Sequence, residues 1–136
     1  MTAAAADLQK ALFATLNGDP SLSAALGGAK IYDHAPANVS FPYMTFGRTS
    51  IYDWSTGTES GIEQLFTLHI WSKAKGKKET LDIMEIVRAR LDQAPPALEG
   101  NHLVDLRFEF AEVRYDDDLS VHHGLLRFRA VMEEAG

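Results

Sequence analysis

The sequence predicts an α+β fold, with an antiparallel-dominated sheet, two main helices packed on it and a C-terminal β-hairpin. Three observations predict it. Two segments, near residues 7–16 and 77–93, repeat apolar residues at helical spacing. Other stretches alternate apolar and polar side chains, which is the period of a strand. The order of the elements is helix, strands, helix, hairpin, a pattern that places helices on a largely antiparallel sheet.

In the first helix Leu8, Leu12 and Leu16 form one stripe between Asp7 and Leu16, with Ala11 and Thr15 beside it. Asn17-Gly18-Asp19-Pro20 stops it. Asp19 is placed to cap a short second helical turn, with Pro20 at its first position and Gly27-Gly28 at its end. Ile31-Tyr32 reads as a short strand, and Pro36 and Pro42 bracket the loop after it. Tyr43 to Thr49 is a strand rich in β-formers. Asp53 to Gly61, DWSTGTESG, reads as a polar loop. Ile62 to Trp71 is the next strand. It has Phe66, Leu68 and Ile70 on one face and Leu65, Thr67, His69 and Trp71 on the other. Both faces are partly apolar, so this strand is expected to be central or covered on both sides.

The second long helix runs from about Lys77 to Gln93, with Met84, Val87 and Leu91 on its buried face and Ile83 adjacent. Pro95-Pro96 ends it. In the closing hairpin Val104, Leu106, Phe108 and Phe110 alternate with Asp105, Arg107 and Glu109. The phase then flips to Ala111, Val113 and Tyr115, which a β-bulge near Phe110-Ala111 would explain. The return strand, Val121 to Met132, turns Leu126, Phe128, Ala130 and Met132 inward. It leaves Arg127 and Arg129 to face Glu109 and Glu112.

At 136 residues the chain fits one domain, 1–136, and 46% hydrophobic content is enough for a core without staples. The absence of cysteine removes disulfides, thiolate metal sites and a Cys nucleophile together. The first sixteen residues have neither a basic segment nor a continuous apolar run, so no signal peptide or membrane span is expected. A net charge of −6 repels the phosphate backbone, which argues against a dedicated nucleic-acid binder and allows DNA only as passing cargo.

The chemically richest stretch is DDDLSVHH, Asp116 to His123. Asp and Ser favour turns because their side chains bond nearby amides. His122 and His123 are neighbours on a strand, so they point to opposite faces and do not converge on one ion. A Ca²⁺ loop of the EF type needs alternating acids, a central Gly and a closing Glu, and these aspartates are contiguous. The stretch is expected to be the hairpin tip. Asp33-His34 with Ser50, Ser55 or Ser60 has no G-x-S-x-G elbow around it, and His69 stands alone on a strand face. No zinc spacing, phosphate loop or dinucleotide fingerprint appears, so no catalytic, metal or cofactor-binding residue is assigned and no cofactor is expected.

Two surface stretches are candidates for contact. Ile51, Tyr52, Asp53 and Trp54 put aromatics at the start of a polar segment, a composition enriched where proteins meet. Lys73, Lys75, Lys77 and Lys78 form the one basic cluster and could meet an anionic partner.

An ordered series of motifs resembles the tail terminator, or tail completion, proteins of long-tailed bacteriophages, prophages and gene transfer agents. The series is L-N-G-D-P-S-L (Leu16 to Leu22), G-G-A-K-I-Y-D-H-A-P (Gly27 to Pro36), F-P-Y-M-T-F-G (Phe41 to Gly47) and D-W-S-T (Asp53 to Thr56). It continues through L-H-I-W-S (Leu68 to Ser72), L-V-D-L-R-F (Leu103 to Phe108) and H-H-G-L-L-R-F-R-A (His122 to Ala130). The resemblance implies a small α+β subunit of a homo-oligomeric, hexameric ring. Such a ring caps the tail tube, ends its polymerisation and offers the head-joining surface. It implies a tail tube protein and a head connector protein as partners, and a place in the virion tail after assembly in the host cytoplasm. It carries no catalytic residues. The alternatives are a head–tail connector or stopper protein, or a small enzyme or ligand-binding domain using His34, His69 or His123.

Overall fold

A computed structural model describes residues 3–134, so the first two and last two positions of the expected 1–136 domain lie outside the described residues. The elements follow in the order α1 (Ala4–Asn17), α2 (Pro20–Leu26), β1 (Ile31–Tyr32), β2 (Tyr43–Asp53), β3 (Gly61–Ser72), α3 (Lys78–Gln93), β4 (His102–Asp116) and β5 (Val121–Glu133). The strands form one sheet in the order β1-β2-β3-β5-β4. Only β1–β2 is parallel, and the other three pairs are antiparallel. This is the expected α+β architecture, with β3 central.

α1 begins at Ala4, ahead of the leucine stripe, because alanine is the best helix former and extends a helix at little cost. Leu8, Leu12 and Leu16 are fully buried. Asp19 caps α2 as expected, with Oδ1 accepting from the amides of Ser21 at 2.9 Å and Leu22 at 3.1 Å. Gly27 ends α2 at φ 79, a left-handed conformation that costs a glycine nothing.

The helices cover one face of the sheet. α3 packs on β3, β4 and β5, while α1 meets β1 and α2. Phe66, Leu68 and Ile70 of β3 join Leu126, Phe128, Ala130 and Met132 of β5 beneath Ile83, Met84, Val87 and Leu91 of α3. Phe66 and Phe128 stack with centroids 5.4 Å apart. Each fully buried Leu, Ile or Phe contributes about 1.5–3 kcal/mol of transfer free energy, so this layer dominates the stability.

Four expectations need correction. β2 does not stop at Thr49. Ile51 and Tyr52 are strand formers and pair with Gln64 and Glu63, so the strand runs to Asp53 and the polar loop starts at Trp54. The register of β4 shifts between Phe108 and Phe110, one residue earlier than expected, and again between Leu103 and Asp105. Phe110 therefore lies opposite Arg127 and away from the helices, and Arg129 lies opposite Arg107. The expected pairs of Arg127 and Arg129 with Glu109 and Glu112 do not form. Arg129 instead binds Glu63 Oε2 at 2.5 Å, and the Arg127 guanidinium lies 5.4 Å from the Phe110 ring centroid. Phe108, expected to point inward, is 40% exposed because β4 is the edge strand and α3 does not reach across it fully.

Candidate functional site

The face of the sheet opposite the helices carries the histidines. In the β3–β5 register Trp71 sits opposite His123 and His69 opposite Leu125, which brings three rings together. Trp71 lies flat on His123 at 4.0 Å and 3°, and its Nε1 donates to Thr45 Oγ1 at 3.1 Å. His69 Nδ1 is 2.6 Å from His123 Nε2, so one imidazole donates its N–H and the other accepts it. Burial holds His69 below the usual histidine range. Burial does the same to His123, helped by the charges of His69 and Arg114 and opposed by Glu112 and Asp116. A Cβ at residue 47 would collide with the His69 imidazole and with Thr67 Oγ1, which explains the glycine there.

These rings form a packed, neutral stack. Two nitrogens bound to one tetrahedral zinc at 2.0–2.1 Å would stand roughly 3.3 Å apart, wider than the observed gap. Among the described residues no three His, Asp or Glu side chains gather as a metal cluster. His34 is exposed after β1 and shares no hydrogen bond or ring contact with His69 or His123. Of the histidines named for the enzymatic alternative, His69 and His123 are brought together and His34 stands apart.

His122 points to the helix side, buried against the Tyr115 ring at 4.8 Å, so the two adjacent histidines do face opposite ways. The aspartates form the hairpin tip. Asp116 Oδ1 accepts from the Leu119 amide at 3.1 Å, and Ser120 closes the turn at φ 54.

At one end of the sheet Ile51 and Tyr52 are each 52% exposed and Trp54 is 43% exposed. Asp53 Oδ1 accepts from the Ser55 hydroxyl at 2.7 Å, and the Trp54 amide donates to the Gly61 carbonyl at 2.9 Å, fixing the loop on β3. Trp54 walls a cavity of about 240 Å³ with Thr56, Glu59, Gly61 and Glu133. A hydrogen bond to the Glu133 carboxyl, and the repulsion between the two acids, push Glu59 up.

The lysines sit at the other end. Lys73 Nζ lies 4.6 Å over the Phe41 ring and Lys78 binds Asp82 at 2.6 Å, while Lys75 and Lys77 are exposed. Ser72 pairs with His122, so this basic loop leaves β3 beside the acidic hairpin tip.

The sheet also presents two uncovered edges. β1 covers β2 only at Met44 and Thr45, and β4 pairs with β5 alone. Val104, Phe108 and Tyr115 are exposed along β4. The linear sequence suggests that edges exist, but it does not say which strands occupy them.

This arrangement recurs in solved structures. A chain in the virion of a native gene transfer agent (GTA) particle is 28% identical, with 98% of this chain and 99% of that one covered at a TM-score of 0.88. The gp17 protein of bacteriophage SPP1 is 22% identical, with 93% and 89% covered at a TM-score of 0.63, a likeness of fold. Comparison with curated protein sequences finds no match. The family model described as tail completion protein gp17 matches residues 10–133, and the chain belongs to that family.

Proposed function

We propose that this chain is the ring-forming subunit that caps the tail tube of a phage-type particle, ends its polymerisation and offers the surface to which the head is joined. Family membership makes it a structural part of such a tail. The observation that carries the finer reading is the end-to-end correspondence with a chain of a gene transfer agent virion. Its place is then the virion tail, reached from the host cytoplasm, and its partners are further copies of itself, a tail tube protein and a head connector protein. Among the described residues no helix is long and apolar enough to cross a membrane.

The role is non-enzymatic in this reading. The His69–His123–Trp71 stack serves as packing of the helix-free face, and the neighbouring hydroxyls of Thr45 and Thr67 are bonded to the Trp71 indole and the Arg48 carbonyl. Ile51, Tyr52, Asp53 and Trp54 form a contact for a neighbouring subunit or the tube end. Lys73, Lys75, Lys77 and Lys78 meet an anionic partner. The charge of −6 repeated round a ring lets DNA pass without a strong ionic grip.

Electron microscopy of particles made without the chain tests this. Tubes of irregular length, or tails that fail to join heads, are expected. Normal particles in its absence would refute the capping role.

A further inference from the structure

We infer that the free edge of β2 in one copy pairs antiparallel with the free edge of β4 in the next, so that one sheet continues from subunit to subunit. The inference rests on the ring reading and names the bond that closes the ring.

Both edges are long. Beyond Thr45 the outer side of β2 is open from Phe46 to Asp53, and β4 is open from His102 to Asp116. Proteins blunt edges that must stay free with lysine, proline, other charges or bulges. Neither strand contains lysine or proline. β4 does carry charged residues, and the register shifts at Phe46/Thr49 of β2 and at Leu103/Asp105 and Phe108/Phe110 of β4 interrupt the edges, but regular strand remains open on either side of them. Both edges instead expose apolar side chains, Ile51 and Tyr52 on β2 and Val104, Phe108 and Tyr115 on β4.

Direction selects the occupant. β2, β3, β5 and β4 alternate, so β2 and β4 run opposite ways. Two copies side by side in the same orientation therefore meet antiparallel, with their helices on the same side of the joint sheet. Each copy gives one edge and receives on the other. Such a head-to-tail contact repeats and closes when the rotation allows. A partner of another kind would satisfy one edge and leave the second open.

Hydrogen-bonding groups are available. The Trp54 amide points to β3, where it donates to the Gly61 carbonyl. N–H directions alternate along an antiparallel strand, so the amides of Asp53, Ile51 and Thr49 point outward.

The chain has no cysteine, which permits a direct test in assembled tails. Ile51→Cys is combined in turn with Leu106→Cys, Phe108→Cys, Ala111→Cys and Val113→Cys, all on the helix side of β4, and the tails are oxidised. A ladder of multimers of this chain from at least one double variant, with none from the single variants, is expected. Rings visible by microscopy without any ladder overturn the edge pairing and leave the capping role standing. Tails with no ring overturn both. Multimers that contain a different protein by mass spectrometry also overturn the pairing. Ile51→Pro removes an outward N–H, while Ile51→Ala removes only the side chain. Proline is expected to reduce completed tails about tenfold more than alanine, the scale of one or two lost hydrogen bonds. Equal losses from two folded variants count against the pairing. If the proline variant does not fold, the cross-links decide.

Discussion

His69 Nδ1 lies 2.6 Å from His123 Nε2, although the two residues are 54 positions apart in the chain. Three things produce this contact. The antiparallel register sets the rings on one face, Trp71 presses on His123, and a glycine at 47 leaves room for His69. The bond needs at least one neutral imidazole as acceptor, and burial favours neutrality for both.

Acid should weaken the fold through this pair. Both histidines titrate in the folded protein below their ordinary 6.5. Above 6.5 both states are neutral there and the stability is complete. As pH falls below that value the unfolded chain takes up protons first, and stability drops until the folded-state values are passed. Urea unfolding at pH 7.5 and 5.5 checks this. The double variant His69→Gln, His123→Gln should lose less stability between the two pH values than the parent does. An equal loss would place the acid sensitivity elsewhere.

Asp7 ties α1 to the segment before β4. Its carboxylate is 1% exposed and accepts from the amides of Glu99 at 3.1 Å and Gly100 at 2.9 Å and from Asn101 Nδ2 at 3.0 Å. Burial pushes the carboxyl up, but these donors together outweigh it and hold Asp7 below 3.8. Asp7→Ala leaves the two amides without an acceptor and should cost about 2–4 kcal/mol by denaturant melting. The contribution is present above 3.8 and lost as pH falls through the lower folded-state value, so the variant's deficit should shrink in strong acid.

Gly124 is set by packing. A Cβ there would meet Met84 Sδ and Thr80 Cγ2, each at 2.7 Å. Gly124→Ala should destabilise by about 1–3 kcal/mol through overpacking. Adding Met84→Ala should recover part of that cost in a double-mutant cycle. Strictly additive losses would show that the clash is relieved by other means.

Trp54→Ala separates assembly from folding. A Trp that is 43% exposed should cost well below the ~3–5 kcal/mol of a buried one, so the melting temperature should barely move. Tail completion should fall sharply if the Trp54 rim meets a neighbour. A large drop in melting temperature with normal tails would make Trp54 a structural residue only.

The elements were legible because their signals are local. The leucines at 8, 12 and 16 share one helical face, Asp19 with Pro20 and Gly27 marks the limits of α2, and the two-sided apolar pattern of Ile62 to Trp71 marks the central strand. What failed was register. The shifts in β4 at Leu103/Asp105 and Phe108/Phe110 depend on how β4 lies against β5, and no pattern within β4 fixes that. The histidine stack and the Asp7 fastening were hidden for the same reason, since their partners are 54 and 92–94 residues away. The turn nature of the aspartate tip was readable because Asp and Ser bond their own neighbours.

The fifth strand in chain order, β5, lies between β3 and β4. A chain cut before Val121 therefore leaves β4 without the strand it pairs with, and α3 alone would have to hold it. Such a fragment cannot hold both outer strands at their proper distance. Closure of the sheet therefore waits for β5, because only with it in place are the β2–β3 half and β4 held in one ladder.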